Sequence, residues 1–424
     1  MKIAYVCADR GVPIFGCKGC SIHVQEVVRA LVNQGHQVTL FAARLGGEAP
    51  ADLAEVPLHR LPKVPKHDPV QREQAEMAAN LDLRFALETA GPFDLVYERY
   101  SLWSVSAMEY ARDRSIPGVL EVNAPLLKEQ AQYRQLIHTD QAHHIAQRVF
   151  AAAATLVAVS QDVADYLATY PQTQGRVHVI PNGVNVDRFR PLGQTPGSAP
   201  TAPSTHLPSG QTHGSAPTPS THLPIHPSTH PPIPPPFTIG FVGTMKDWHG
   251  LPVLAEAFTQ LHRRCPQVRL AMVGDGPARP DMQKTLGDRG LGAAVTWHGR
   301  VSPEQIPALL AEMDVAVAPY PQLDNFYFSP LKVYEYMAAG LPVVASDLGQ
   351  LRQLICPGLN GLLCPAGDAA ALADQLEKLA AQPQLRQRLG QAARQTVVEH
   401  HSWHHRVKDI LAAAQRGVVL EKVG

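Results

Sequence analysis

The chain has 424 residues, of which 45% are hydrophobic and 17% are charged, with 37 basic residues balanced by 37 acidic ones. This length suits two or three domains, and a formal charge of zero argues against nonspecific nucleic-acid binding or a polybasic membrane contact. No stretch approaches the ~20 apolar residues of a membrane span, and residues 3–8 lack the basic start and cleavage site of a signal peptide. Six scattered cysteines are too few for a disulfide framework, so we expect a reduced, soluble, cytoplasmic protein.

The first part of the chain alternates short apolar runs with helical patterns. We predict β-strands at the runs, which are residues 3–8, 38–43, 95–97, 119–122, 156–159 and 177–180. Between the first two runs, Val24, Val27, Val28 and Leu31 recur at helical spacing, and Gly35 is the expected end of this helix. Such alternation is typical of a parallel sheet covered by helices on both faces.

A proline-rich segment follows at 192–236. It holds 13 of the 38 prolines and five histidines, but no Asp, Glu, Lys or Arg. Within it, GQTPGSAPTAPSTHLP from Gly193 recurs as GQTHGSAPTPSTHLP from Gly210. A duplicated segment with almost no aliphatic side chains cannot bury a core, so we predict a disordered or polyproline-like linker. A metal-binding histidine tract is the less favoured interpretation, because the duplication already explains the histidine spacing.

The second part returns to the same alternation. We predict strands at residues 239–242, 270–273, 295–297, 315–318 and 343–345, and mostly helices after Asp368. The whole pattern predicts an α/β protein with two doubly wound, Rossmann-like domains facing a central cleft. We place these domains at 1–191 and 237–400, joined by the linker at 192–236. We expect a C-terminal helix at 401–424 to pack back on the first domain.

A glycine-rich loop follows the first strand, with Gly16 and Gly19 just before the helix that we expect to start at Ser21. Such a loop at a helix N-terminus exposes backbone N–H groups to which a phosphate can bind. It lacks the GxGxxG spacing of dinucleotide-binding folds, and its glycines could also serve only the turn. Cys17 and Cys20 have no second pair at metal-ligand spacing, so we favour small residues in a crowded loop over a zinc or redox site.

Residues 326–346, FYFSPLKVYEYMAAGLPVVAS, form the segment richest in chemistry. We expect Ser329 to cap a helix that begins at Pro330. Its N-terminus offers N–H groups to an anion, Lys332 adds a charge for a phosphate, and Glu335 lies one turn further on the same face. A carboxylate there can accept hydrogen bonds from the two hydroxyls of a ribose. The competing interpretation is a surface ion pair on an ordinary amphipathic helix.

Several segments together resemble the glycosyltransferases of family 4, which use nucleotide sugars and have two Rossmann-like domains, the GT-B fold. They are residues 330–346, VGDGP at 273–277, HGRV at 298–301 and VIPNGVNVDRFRP at 179–191. GCKGCSIHVQEV, YERYSLW and EVNAP in the first half also resemble bacterial members. The resemblance covers both halves in the right order and excludes only the proline-rich segment.

The resemblance implies roles for individual residues. Glu335 corresponds to the second glutamate of an E-x7-E signature and would hold the donor ribose, while Arg300 and Val301 would hold the base. Asn182 and Gly183 would lie where the chain crosses between the domains. The donor diphosphate would be held by residues of both domains, which are Gly16, Gly19, Gly243, Ser329, Pro330, Leu331 and Lys332.

The sequence departs from the family pattern at three places. The first signature glutamate is replaced by Tyr327, so its sugar contact would be absent or would come from Asp324 or Asn325. A common active-site histidine corresponds to Asn123.

The third departure concerns the cations on the diphosphate. The usual Arg and Lys correspond to Thr244 and His249, which leaves Lys246 as the substitute candidate. A nonfunctional descendant of the family is therefore an alternative.

The hypothesis from the sequence is transfer of a sugar from a nucleotide-diphosphate donor to a hydroxyl acceptor, with retention of configuration as the resemblance implies. Glu121 and Asn123 are the acceptor-side, catalytic candidates. There is no DxD-like pair to hold a divalent ion, so we expect neither a metal nor another cofactor. The expected partners are the donor and a glycan, lipid-linked or small-molecule acceptor, with no nucleic acid. A role in cell-envelope polysaccharide synthesis would fit.

Three alternatives remain open at this point: a nucleotide-sugar epimerase of the same architecture, a phosphorylase, and a scaffold protein that uses the proline-rich segment to recruit a partner. Residues 126–149 could form an amphipathic helix along the acceptor cleft or at the inner membrane face. The histidines of the C-terminal segment have spacing that could bind a metal, but we favour a solvated helix face around Trp403. These histidines are His400, His401, His404 and His405.

Overall fold

The computed structural model describes residues 1–65, 67–191, 236–323, 326–327 and 329–421. The predicted linker, apart from Pro236, lies outside the described residues, as do Asp324 and Asn325. The elements of the first domain are β1 (Lys2–Cys7), α1 (Gly19–Asn33), β2 (Gln37–Ala42), β3 (Leu58–Arg60), α2 (Pro69–Ala90), β4 (Leu95–Arg99), α3 (Ser106–Asp113), β5 (Gly118–Val122), α4 (Leu126–Tyr133), α5 (Thr139–Ala152), β6 (Thr155–Ala158), α6 (Gln161–Ala168) and β7 (Val177–Val179).

The second part contains a further sheet and eight helices within the described residues. Its elements are β8 (Thr238–Val242), α7 (Leu251–Arg264), β9 (Arg269–Val273), α8 (Arg279–Asp288), β10 (Val295–Gly299), α9 (Ile306–Ala311), β11 (Val315–Ala318), α10 (Leu331–Ala338), β12 (Val343–Ser346), α11 (Gly349–Leu354), β13 (Leu362–Cys364), α12 (Ala369–Ala381), α13 (Pro383–His400) and α14 (Trp403–Glu421).

Both sheets are parallel and have the same strand order. In the described residues the first sheet runs β3-β2-β1-β4-β5-β6-β7 and the second runs β10-β9-β8-β11-β12-β13. In each sheet, the first strand of the domain lies beside the fourth. The second and third strands lie on one side of this pair, and the later strands lie on the other side. That pair, β1 with β4 and β8 with β11, is the switch point outside whose carboxyl ends ligands bind in doubly wound folds.

The expectation of two doubly wound α/β domains is confirmed, since every predicted apolar run forms a strand. The helix predicted from valine spacing is α1, and Gly35, with φ of +80°, lies just beyond its end. Two strands were not predicted, β3 and β13, which have three residues each. β3 also lies at the sheet edge with exposed ends, so it lacks the buried pattern of a central strand.

Helices cover both faces of each sheet. In the first domain, α2, α3, α5 and α6 pack on one face, while α1 and α14 pack on the other. The C-terminal helix α14 reaches this face by packing Trp403, Val407 and Ile410 against the core under β1. Helix α14 thus packs on the first domain and contacts α1.

Two helix expectations need correction. Residues 126–149 do not form one continuous helix: α4 ends at Tyr133, and α5 begins only at Thr139. The closing helix begins at Trp403 rather than near His400, which is instead the last residue of α13. No helix in the described part of the chain is long and apolar enough to cross a membrane.

Candidate functional site

A cavity of about 530 Å³ lies between the two domains, at the carboxyl ends of β8 and β11. The first domain contributes Gly19, His23, Arg99 and Asn123 to its lining. The second domain contributes residues from several loops and from α10, namely Gly243, Arg300, Val301, Ser329, Pro330, Leu331, Lys332 and Glu335. Most of the residues that the sequence pointed to as donor-binding therefore meet in one place.

The charge of this cavity is predominantly positive. Its lining carries five cationic side chains against two carboxylates, Asp275 and Glu335. The cationic residues are Lys18, Arg99, Arg188, Arg300 and Lys332. A cleft with this imbalance attracts an anion, and its low-dielectric walls strengthen the attraction.

Two helix N-termini face each other across the cavity. α1 begins at Gly19 and α10 begins at Leu331, whose side chain packs on the first domain and lies 3.7 Å from where a Cβ on Gly19 would be. The first N–H groups of a helix lack intrahelical partners and carry partial positive charge. Convergence of two such ends gives a site for a phosphate group.

The expected cap of α10 is wrong. Pro330 occupies the N-cap position with no side-chain cap, and the helix begins one residue later than predicted. The hydroxyl of Ser329 instead accepts a hydrogen bond from the backbone N–H of Asn182 at 3.2 Å, and Asn182 Nδ2 donates to the Ser329 carbonyl at 3.0 Å. Ser329 thus ties the start of α10 to the first domain and does not cap the helix.

Lys332 is the most unusual cation of the site. Its ammonium lies 4.4 Å from the ring centre of Phe241 and 5.4 Å from that of Tyr320. Nζ is buried and has no hydrogen-bond partner among the described residues. Burial lowers the Lys332 pKa to about 7, although the nearby Glu335 opposes the shift. An ammonium held without a partner against two aromatic rings is poised for an anionic ligand.

Glu335 lies one turn along α10 and faces the same cavity. Burial raises its pKa to about 7, against the lowering effect of Arg188 and Lys332. Among the described ion pairs none joins Glu335 to Lys332, so the exposed surface pair considered above is not what forms. Both groups lie deep in the cleft, where a ligand would contact them.

Three of the residues predicted to bind the donor or to take part in catalysis do not line this cavity. Gly16 lies in the turn before α1, outside the lining. Lys246 places its ammonium 4.3 Å from the ring centre of Trp248. Glu121 is only 2% exposed. Thr244 and His249 do line the cavity, and burial lowers the His249 pKa to about 3, so that this ring is neutral near pH 7.

Sequence reasoning missed His23 and Arg99. His23, in the second turn of α1, has Nε2 at 2.9 Å from Glu121 Oε1 and Nδ1 at 3.1 Å from Arg99 Nη1. Arg99 ends β4 directly beside Glu121 of β5 in the sheet register. The available signal was that polar residues at the carboxyl ends of adjacent parallel strands meet at one edge.

Tyr327, in place of the first signature glutamate, reaches across to the first domain. Its hydroxyl donates a hydrogen bond to Glu129 of α4, and its carbonyl accepts one from Ser160 Oγ at 2.6 Å. Its neighbour Phe326 is anchored in the second domain against Tyr320, with ring centres 4.9 Å apart. The loop before α10 thus bridges the two domains.

Comparison with known families decides the identity. The model described as Glycosyltransferase Family 4 matches residues 18–188, and the one described as Glycosyl transferases group 1 matches residues 236–382. The two matches follow each other in the order of the two domains. The chain is a family 4 glycosyltransferase.

Individual relatives agree with this assignment. The glycosyltransferase is 34% identical over 155 residues to the alpha-D-kanosaminyltransferase of Streptomyces kanamyceticus, a match that spans 36% of this chain and 39% of that protein. It is 26% identical over 391 residues to the D-inositol 3-phosphate glycosyltransferase of Xylanimonas cellulosilytica, covering 89% and 86% of the two chains. The structure of HepE from Anabaena in complex with UDP superposes with a TM-score of 0.68 at 18% identity, covering 98% of this chain and all of that one. The architecture is the GT-B fold.

The glycosyltransferase has a second cavity, of about 290 Å³, at the switch point of its first domain. Residues after β1 and β4 line it, including Asp9, Ser101 and Trp103, together with residues of α2 and α4. Its carboxylates outnumber its arginines, four to three: Asp9, Glu73, Glu76 and Glu129 against Arg10, Arg72 and Arg134. Burial raises the Glu76 pKa to about 6, although Arg10 opposes the shift. This cavity is therefore more acidic than the cleft.

Proposed function

We propose that the glycosyltransferase moves a sugar from a nucleoside-diphosphate sugar, held in the interdomain cleft, to a hydroxyl of an acceptor held in the cavity of the first domain. The observation that carries the proposal is the arrangement at α10. A helix N-terminus without a side-chain cap, an unpartnered buried ammonium on Lys332 and a carboxylate on Glu335 lie within one turn of each other. In the proposed complex, the helix N-terminus and Lys332 bind the diphosphate, and Glu335 accepts hydrogen bonds from the ribose hydroxyls.

The cleft charges suit departure of a nucleoside diphosphate. As the bond from sugar to phosphate breaks, negative charge grows on the leaving oxygen. Lys332 and the two helix N-termini stabilise that charge more in the transition state than in the ground state. Because these groups belong to the protein, the proposal requires no divalent ion on the diphosphate.

The proposed stereochemical course is retention. Glu121 is 2% exposed, with its carboxylate 2.9 Å from His23 Nε2, so it does not present a nucleophile to the cavity. We propose that the acceptor hydroxyl attacks from the face that the diphosphate leaves and passes its proton to the departing phosphate oxygen. We propose that Asn123, which lines the cleft, orients that hydroxyl.

The second cavity suits a polyhydroxylated acceptor. It combines carboxylates, which accept hydrogen bonds from hydroxyls, with the indole of Trp103, on which a sugar ring can stack. Relatives named for an inositol phosphate and for an amino sugar support an acceptor or donor of carbohydrate type.

The test is a thermal shift of the full chain against UDP-, GDP-, ADP- and CMP-sugars. We expect at least one nucleoside-diphosphate sugar to raise Tm by several degrees, as a ligand at a hundred times its Kd adds about 2.7 kcal/mol. HepE was solved with UDP, which makes UDP-glucose the first probe. Glu335→Gln should abolish sugar transfer while its Tm without ligand stays close to wild type. Unchanged turnover in that variant, or no shift with any of the nucleotide sugars, would contradict the proposal.

A further inference from the structure

We propose that Arg99 is the cation with which the first domain grips the donor diphosphate, and that His23 and Glu121 are the positioning residues that hold it in place. This inference rests on the proposed function and deepens it. It assigns a binding role to Arg99 and positioning roles to His23 and Glu121.

The second domain has few cations available at the diphosphate. Thr244 is uncharged, and His249 is neutral near pH 7 because burial lowers its pKa to about 3. Lys246 lies over Trp248, outside the cavity lining. Lys332 lies beside the start of α10, and Arg300 is the residue expected at the base. In the first domain Lys18 is exposed, and Arg188 lies 3.7 Å from Glu26 and 3.8 Å from Glu304. A diphosphate with two or more negative charges calls for at least one more cation beside Lys332. Arg99 lines the same cavity from the opposite domain.

The protonation pattern around His23 follows from the chemistry of arginine. A guanidinium can only donate hydrogen bonds, so His23 Nδ1, at 3.1 Å from Arg99 Nη1, must be the acceptor. Nε2, the other ring nitrogen of His23, lies 2.9 Å from Glu121 Oε1. Burial tends to raise the Glu121 pKa, but His23 and Arg99 outweigh it and hold this pKa below its usual range. Glu121, His23 and Arg99 therefore lie in a row, and the guanidinium of Arg99 is at its end.

This row of contacts also explains why Arg99 faces the cavity. Arg99 and Glu121 are register neighbours on β4 and β5, and a purely structural pair would bond directly. The imidazole of His23 lies between them instead, supported edge-on by Trp403 at 5.0 Å between ring centres. Among the described residues, no acceptor other than His23 is hydrogen-bonded to this guanidinium. Its remaining N–H groups are available to phosphate oxygens, which arginine binds in a bidentate manner.

The experiment measures the affinity of the full chain for UDP, inorganic pyrophosphate and uridine by calorimetry. Arg99→Gln should weaken UDP and pyrophosphate about tenfold or more, the range for a hydrogen bond to a charged group. Uridine, which has no phosphate, should bind as it does to wild type. Arg44→Gln is the matched control, since Arg44 is in the same domain and outside the cavity lining, and it should leave all three affinities unchanged.

A second set of variants tests the positioning role of His23. His23→Phe keeps the ring against Trp403 but removes the acceptor for Arg99, so it should weaken UDP severalfold. His23→Asn, whose amide oxygen can lie near the position of Nδ1, should restore part of the affinity. The double variant with Arg99→Gln should bind UDP no more weakly than Arg99→Gln alone, because both changes remove one interaction.

The outcomes separate this inference from the function on which it rests. If wild type binds neither UDP nor pyrophosphate, nor any other nucleoside diphosphate, the proposed function falls and the Arg99 assignment falls with it. If wild type binds and Arg99→Gln binds equally well, only the assignment of Arg99 is overturned. An equal loss for uridine and UDP would also overturn it, because it would mean that Arg99 supports the fold rather than the diphosphate.

Discussion

The two switch points of the molecule have the same strand order but opposite chemistry. Outside β8 and β11, a helix N-terminus, Lys332 and further cations make the cleft positive. Outside β1 and β4, carboxylates outnumber arginines around Trp103. A doubly wound sheet therefore fixes only where a ligand binds, and the loops after the strands decide which ligand it is. One edge suits an anionic donor and the other a hydroxyl-rich acceptor.

In the contrast between the positive cleft and the acidic cavity, we expect Lys332 to contribute most to anion binding in the cleft. Lys332→Met should weaken UDP and pyrophosphate by about a hundredfold, because it removes a buried charge from an anion and leaves only dipoles and more distant cations. Calorimetry with the full chain measures this. Lys246→Met is the matched comparison, and its loss should be at least tenfold smaller because Lys246 lies over Trp248. If the Lys246 variant lost more affinity than the Lys332 variant, the assignment of Lys332 as the cation that binds the diphosphate would be overturned.

Removing Lys332 should also stabilise the unliganded protein. The folded-state pKa of this lysine is about 7 while the unfolded value is near 10.5, so its charged form is disfavoured by folding. The resulting penalty is fully present below about pH 7 and disappears as the pH rises towards about 10.5. At pH 6 to 7, Lys332→Met should therefore raise Tm by about 2 °C or more. A lower Tm across this range would show that the ammonium stabilises the fold.

The pH dependence of donor binding should expose both groups of α10. Lys332 loses its charge above about pH 7, and Glu335 gains its charge only as the pH rises through about 7, since burial shifts both pKa values. UDP-glucose affinity should therefore pass through a maximum near neutrality, with a fall of up to about tenfold per pH unit on the alkaline side. Titration calorimetry from pH 5.5 to 8.5 measures the profile.

Two variants test which residue causes the fall in affinity on each side of this maximum. Lys332→Arg keeps its charge throughout, so it should lose the alkaline limb and keep the acid one. Glu335→Gln should lose the acid limb. A flat wild-type profile would contradict the burial of these two groups in the unliganded cleft.

Much of the fold could be predicted because hydrophobic runs report burial directly. β11, for example, is fully buried and forms a continuous apolar run, VAVA. β3 was not predicted because its sequence, LHR, has only one apolar residue and lies at a sheet edge. The cap of α10 failed for a different reason. Ser329 has a partner in Asn182, 147 residues away, and a tertiary contact of this kind outweighed the local preference of serine for a cap.

The site divides in the same way. Lys332 and Glu335 were predictable because they share one helix, whose period places them on one face. Arg99, His23 and Glu121 come from β4, α1 and β5, and only the strand order brings them together. Lys246 was expected at the diphosphate from its nearness in sequence to Thr244. Its aromatic neighbour Trp248 holds it over an indole ring, and a sequence comparison has no way to weigh that contact.

Tyr327 links the two switch points, and its contribution should be smaller. Its hydroxyl bonds Glu129 on α4, the helix that lines the acidic cavity. Tyr327→Phe and Glu129→Gln should each lower the free energy of unfolding in urea by about 1 kcal/mol, the usual value of one hydrogen bond. The double variant should cost little more than either single one. Tyr133→Phe, on the same helix but 71% exposed, is the control. Additive losses would mean that the bond does not couple the domains.

The smallest effect is expected from the proline-rich segment, which belongs to neither switch point. The two family matches end at residue 188 and resume at residue 236, so the segment between them lies outside both. We predict that replacing residues 193–235 with six Gly and Ser residues leaves the affinities for UDP and pyrophosphate within twofold of wild type. Shortening this connection by about three doublings of length changes the closure free energy by only about 2 kcal/mol, in favour of the folded state. A folded variant with unchanged Tm that no longer bound UDP would assign the segment to the donor site. The donor site would then include residues that belong to neither switch point.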